Sequence, residues 1–307
     1  MHLQHSSSHP SPRGWLHGLA GVLIFSGSLP ATRLAVLELD PLFVTGARAS
    51  LAGLLALLLL ALGRHPRPQR HTLAPLALVA LGVVVGFPLL TALALQHVNA
   101  AHSTVFIGTL PLATALGAVW RGGERLGARF WRWAGMGSAV VISFALGQGL
   151  EASLWGDGLM LVAVLVCGLG YAEGARLARQ LGGLQVISWA LVLALPLMLP
   201  LMLVHWPATP AQVGPAAWLG LGYVALFSMF IGFVFWYRGL ALGGIARVGQ
   251  LQLLQPFFGL LLAAGVLDEQ VRPAMYLAAL GVLACVWGAR RASPCGQAAP
   301  GHGKSAV

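Results

Sequence analysis

The chain has 307 residues, of which 58% are hydrophobic and only 8% charged, with 40 glycines in addition. A water-soluble domain carries roughly 45–50% apolar residues, glycine included, and about 25% charged. A soluble enzyme, a disordered tail and a disulfide scaffold are thereby excluded, and a polytopic membrane protein of the helical class is left, because the apolar runs are long and do not alternate. The net charge of +10 does not argue for nucleic acid, since 15 of the 18 basic residues lie in short segments between apolar runs. Cys167, Cys285 and Cys295 form no C-x-x-C, so neither a disulfide framework nor a metal site is expected.

A helix crossing a bilayer needs about 20 mostly apolar residues. After a tail over 1–13, whose His2, His5 and His9 read as a disordered leader, the stretches free of charge predict ten helices. They fall at 14–36, 42–63, 73–96, 100–121, 130–150, 156–177, 184–204, 216–237, 244–266 and 273–290, with a second tail over 292–307. Polar and proline turn signals at His97-Val98-Asn99 and from His205 to Pro210 divide the two longest runs. The first run is read as a retained helix, because no small-x-small cleavage site follows it.

Charge placement tests this count independently. With the N-terminus in the cytoplasm, the inner segments hold Arg13; Arg64, Arg67 and Arg70; Arg121, Arg125, Arg129 and Arg132; Arg176 and Arg179; Arg238 and Arg247; and Arg290, Arg291 and Lys304. The outer segments hold Arg272 and the acids Glu38, Asp40, Glu151, Asp157, Asp268 and Glu269. Such alternation is the positive-inside pattern, and it places both termini in the cytoplasm.

The chain also repeats itself. Pro111 and Pro256 are 145 residues apart, as are Glu124 and Glu269, and Ala101 and Ala246. Five helices per half is an odd number, so the second half must lie inverted relative to the first. Inverted repeats that rock against each other are a device of secondary transporters.

These residues carry a resemblance to the EamA-type repeats of the drug/metabolite transporter superfamily. Asp40 to Arg48 (DPLFVTGAR) resembles the entry into the family's second helix, and the paired P-x12-E at Pro111/Glu124 and Pro256/Glu269 resembles the end of each repeat's fourth helix. Gly156-Asp157 and Tyr237 to Leu242 resemble the start of the second repeat and the close of its third helix. The likeness spans about 14–291, as one repeat over 14–150 and another over 156–291. The chain departs from the pattern at Ser26-Gly27-Ser28, where Trp-Gly-Ser is frequent, and near Ala190, which stands opposite Arg48.

The polar residues inside spans each have two readings. Arg48, about 9 Å into its helix, either snorkels outward or lines a substrate route, since an intramembrane arginine costs at least about 2.5–3.5 kcal/mol. Arg33 lies nearer the surface and reads as snorkelling. Glu173 either pairs with Arg176 three residues on or lines the substrate cavity. Gln252 and Gln255 share a helix face as interhelical glue or ligand contacts, and Tyr171, Trp236 and Tyr237 contact substrate or fill core. Pro111 and Pro256 kink their helices, with a free carbonyl near Gln252 expected. Glu124 and Glu269 serve as anchors and loop partners or as gates.

No G-x-S-x-G, HExxH or P-loop occurs. The expectation is a secondary transporter of a bacterial inner membrane, most simply an exporter of a small metabolite or drug-like compound, with no cofactor and no metal. Its partners are a small-molecule substrate and the lipid bilayer, not nucleic acid, and a homodimer is left open. A membrane-embedded enzyme acting on lipid or peptide is the rival, and a sensory receptor comes third.

Overall fold

A bilayer core offers no water to backbone N–H and C=O groups, so each apolar run must close its hydrogen bonds internally as a helix. The computed structural model describes residues 12–98, 103, 106–146, 153–267 and 273–292, and among them it contains ten helices and no strand. They are α1 (Pro12–Val36), α2 (Pro41–Leu62), α3 (Arg70–His97), α4 (Leu110–Trp120), α5 (Ala128–Leu146), α6 (Leu154–Leu181), α7 (Gly183–Val204), α8 (Pro215–Gly243), α9 (245–267) and α10 (Pro273–Arg291). Each expected span has its helix, and α6 and α8 run several residues longer than the apolar stretches alone implied. The start of the fourth span, the end of the fifth and most of both tails lie outside the described residues, as do Glu151, Asp268, Glu269 and Arg272.

Local chemistry sets several boundaries. The Asp40 carboxylate accepts the Leu42 and Phe43 N–H groups at 2.8 and 3.1 Å, and Pro41 occupies the first turn of α2, where no donor is needed. Gly182 (φ 84°) and Gly244 (φ 90°) are single-residue links from α6 to α7 and from α8 to α9, in a conformation that only glycine enters without cost.

Helix pairing obeys a two-fold pseudo-symmetry. Advancing a helix by five places carries it to its equivalent in the other half, so α2 against α7 and α5 against α10 are self-equivalent pairs. The α1–α8 pair matches α6–α3, and α4–α6 matches α9–α1. Glycines make these approaches close: a Cβ at Gly239 would lie 2.5 Å from the Gly18 nitrogen, and one at Gly82 would lie 2.7 Å from the Val166 carbonyl.

The same symmetry governs the irregular turns. Both α3 and α8 contain a π-helical segment, Ala80–Gly86 and Val224–Ile231, whose last residues are 145 apart like the paired prolines. In α3 the wide turn ends two residues before Pro88, and the Phe87 N–H reaches back to the Gly82 carbonyl. In α9 a 3-10 segment, Gln250–Leu254, leads into Pro256. The Gln252 carbonyl, expected to be free, instead accepts the Gln255 N–H in the tightened turn. Only α1 breaks without an equivalent: it divides at Gly27 into Pro12–Ser26 and Ser28–Val36, whereas α6 runs unbroken for 28 residues.

Arginines gather at one end of the bundle. There Arg290 stacks over Trp15, Arg247 donates to the Ala292 carbonyl, and Gly14 packs against Gly243. At the other end Glu38 accepts the Gly214 N–H, and Phe43 meets Trp206 and Trp218 edge-on.

The α1–α8 approach yields a packing prediction. Gly239→Leu should force these helices apart and cost about 1–3 kcal/mol, seen as a lower unfolding midpoint in detergent. Gly135→Ala, where an added Cβ meets nothing within 4 Å, should leave that midpoint unchanged or slightly raised.

Candidate functional site

The break in α1 leaves carbonyls that a continuous helix would use. Two of them find partners from the opposite half of the chain: the Tyr223 hydroxyl of α8 donates to the Ile24 carbonyl at 2.7 Å, and the Gln255 amide of α9 donates to the Phe25 carbonyl at 3.3 Å. Gly27 permits the first contact, because a Cβ there would lie 2.6 Å from the Tyr223 oxygen.

Beside this break lies a cavity shared by both halves. The first half supplies Phe25, Ser28 and Thr32 of α1, Arg48 of α2, and Val83, Phe87 and Thr91 of α3. The second half supplies Tyr171 of α6, Ser228 and Phe233 of α8, and Gln255 of α9. The cavity has a volume of about 30 Å³. That is room for waters but not for a metabolite, whose sites span roughly 300–1,000 Å³. The conformation is therefore closed around its polar centre.

Arg48 is that centre. It is 6% exposed and donates to the Ser228 Oγ at 3.3 Å, while its Nε makes no hydrogen bond among the described residues. Ser228 Oγ lies 2.7 Å from Ser28 Oγ, so the guanidinium and two hydroxyls form one chain across three helices. Ser228 sits within the π-helical segment of α8, and its equivalent 145 residues earlier, Val83, lines the same cavity from the π-helical segment of α3. Such segments are frequent at functional sites.

The structure brings Arg48, Tyr171 and Gln255 together on this cavity. It places Trp236 and Gln252 elsewhere. Trp236 is fully buried behind the cavity wall, with its ring edge-on to Phe25 at 6.2 Å and to Tyr171 at 5.5 Å. Gln252 is also fully buried, next to the Tyr171 hydroxyl, and neither of its amide atoms makes a hydrogen bond of ordinary geometry. Tyr237 donates its hydroxyl to the Gly170 carbonyl at 3.3 Å and joins the α6–α8 packing. Arg33 is half-buried and donates to the Leu95 carbonyl in the last turn of α3.

Glu173 lies away from the cavity, at the arginine-rich end. It is fully buried, accepts Arg176 as its spacing implied, and also accepts Arg121 Nε at 2.8 Å from the end of α4. Glu124 reaches across the halves as well. Its two carboxylate oxygens accept the Ile245 and Ala246 N–H groups at 2.8 and 3.1 Å, and Arg179 approaches at 3.4 Å. A carboxylate on these first donors of α9 satisfies orphan N–H groups and suits the helix dipole. Its equivalent, Glu269, lies outside the described residues. Pro111 and Pro256 each start a fresh helical segment after a tightened turn, in the first-turn position that proline favours.

Thr32, Thr91 and Ser228 stand out in no motif of the sequence, and Ser28 only as part of Ser26-Gly27-Ser28. Isolated hydroxyls are common in membrane helices and carry no spacing signal. For Ser228 the 145-residue offset from Val83 was the one available clue.

Comparison with known proteins places this arrangement. The model of the EamA-like transporter family matches residues 12–146 and again 154–290. An uncharacterized transporter, YdeK, of Bacillus subtilis is 61% identical over 278 residues, covering 91% of this chain and 97% of its own. The uncharacterized inner membrane transporter YedA of Escherichia coli is 26% identical over 264 residues, 85% of either chain. A solved crystal structure superposes with a TM-score of 0.75 over 91% of this chain and 99% of its own, at 18% identity, a likeness of fold.

The Glu173 cluster predicts non-additive stability effects. Arg121 and Arg176 are 37% and 38% exposed and can rehydrate when released, whereas Glu173 cannot. Either Arg121→Ala or Arg176→Ala alone should cost less than about 1 kcal/mol. Both together strand a buried carboxylate and should cost about 3–5 kcal/mol, measured by thermal unfolding in detergent.

Proposed function

Because the chain belongs to the EamA-like transporter family, we propose that it exports a small metabolite or drug-like compound across a bacterial inner membrane by alternating access. Both termini lie in the cytoplasm, and the arginine-rich end of the bundle is the cytoplasmic face. The observation that carries this reading is the cavity itself. It lies between the two halves, it is lined by both, and it sits where α1 is broken and where α3 and α8 widen at equivalent positions. In inverted-repeat transporters, substrate sites occur at the repeat interface beside discontinuous helices.

The contacts at the arginine-rich end support a gating role. Glu124 on the α9 N-terminus and Glu173 on Arg121 both tie the first half to the second. Opening the cavity toward the cytoplasm requires these to part, while the α2–α7 and α1–α8 contacts slide or hold. A membrane-embedded enzyme would need a general base beside a nucleophile. The polar lining supplies hydroxyls, one amide and one guanidinium, which bind and orient rather than abstract protons.

Orientation is checked by single cysteines. Those at Arg67 and Arg125 should react with an impermeant maleimide only from the cytoplasm, and one at Asp40 only from outside; labelling of Arg67 and Asp40 from the same face refutes the topology.

Alternating access is checked by a cross-link. A Cβ at Gly249 of α9 would lie 3.7 Å from the Thr114 Cβ of α4, within the usual disulfide range of about 3.5–4.5 Å. With the native cysteines replaced, a disulfide between Thr114→Cys and Gly249→Cys should arrest flux in proteoliposomes, and reductant should restore it. Each single variant should transport, and efflux from loaded vesicles should exceed uptake under the same gradient. Undiminished flux in the oxidised double variant would show that these halves need not separate.

A further inference from the structure

Arg48 raises a question of charge balance. Its guanidinium carries five N–H donors, and the structure gives it one long contact, to the Ser228 hydroxyl at 3.3 Å. Among the described residues no carboxylate lines the cavity. The acids whose partners are seen are committed elsewhere: Glu38 to the Gly214 N–H, Asp40 to the start of α2, Glu124 to the start of α9, and Glu173 to its two arginines. A buried cation without a counter-charge costs several kcal/mol, and Ala190 marks the lack of a second one in the other half. Thr91, also lining the cavity and buried, likewise leaves its hydroxyl without a hydrogen bond.

We infer that the transported compound supplies the missing charge: the cavity takes a monocarboxylate, its carboxylate on Arg48 and the Ser28/Ser228 hydroxyls, its apolar body against Phe25, Phe87 and Phe233. This rests on the transport reading given above. The carboxylate is the planar, two-oxygen anion that a guanidinium fork matches. One cation and no second one at the lining favours a single negative charge over two. The body is apolar because Phe25, Phe87 and Phe233 make up the aromatic part of the lining. An amine is disfavoured, because no acid on the lining receives an ammonium and the Arg48 charge repels it at low dielectric.

The test is binding of radiolabelled phenylacetate to the purified full chain in detergent, with competition by a set of monocarboxylates, by 2-phenylethanol, by phenethylamine and by chloride. Phenylacetate or a larger aromatic monocarboxylate should bind, and the neutral and cationic isosteres should not compete. Arg48→Gln should weaken binding by at least about tenfold, Arg48→Lys should retain part of it, and Ser228→Ala, which keeps the charge, should lose several-fold. Only variants that elute as the wild type and unfold near its midpoint are scored. The inference is overturned by wild-type affinity in folded Arg48→Gln, by equal competition from phenethylamine, by complete displacement with chloride alone, or by failure of every monocarboxylate to bind. If some other solute is carried and its flux is arrested by the Thr114–Gly249 cross-link, the transport reading stands and this substrate class falls. Carboxylate binding with flux indifferent to the cross-link gives the converse.

Discussion

The backbone of α1 cannot break inside a membrane unless its freed carbonyls are met by other protein groups. That constraint organises the centre of this molecule. At Gly27 the helix does break, and the carbonyls of Ile24 and Phe25 are taken by Tyr223 and Gln255, which arrive from α8 and α9. The first half is thus completed chemically by the second. Were either partner absent, the turn at Gly27 would leave an unsatisfied carbonyl in an apolar surround, and Pro30, which has no N–H for the Ser26 carbonyl, keeps the helix from closing the gap itself. The cavity lies beside this exchange, and Phe25, Ser28 and Gln255 line it.

Irregular turns elsewhere obey the same rule by different means. In α3 and α8 a widened π turn keeps its hydrogen bonds within the helix while displacing the side chains that follow. In α9 the chain tightens to 3-10 before Pro256, so the Gln252 carbonyl remains partnered. The two halves share these devices at a constant offset, yet they differ where chemistry is concentrated. The broken helix, the lone buried arginine and the serine beside it in α1 have no counterparts in α6 and α7. A symmetric scaffold therefore carries an asymmetric cavity.

Electrostatics separates the two ends of the bundle from its centre. At the arginine-rich end, charges are matched: Glu173 is held between two arginines, and Glu124 closes the start of α9. Arg121 and Glu124 are exposed enough to rehydrate, and Glu173 keeps Arg176 when Arg121 leaves, which suits contacts that must form and break. At the centre Arg48 is unmatched among the described residues, its surroundings offering hydroxyls and aromatic rings but no carboxylate. Matched charge where the halves meet and unmatched charge where a solute would sit is the pattern expected of a carrier whose cargo completes its own site.

The sequence by itself determined the all-helical class, the ten helices and the 145-residue duplication, because apolar length and charge spacing along the chain are what a bilayer reads. It also marked Arg48 and Gln255, since polar groups inside apolar runs are rare enough to stand out. Tertiary structure alone decided that Ser28 meets Ser228 across 200 residues, that Glu173 gains Arg121, and that Trp236 and Gln252 stand behind the cavity rather than on it. It alone revealed the unpaired break of α1 at Gly27. The reason is physical: helix formation in a membrane depends on local apolar content, whereas the partner of a hydroxyl or a freed carbonyl depends on which helix faces are pressed together, and no spacing along one chain encodes that.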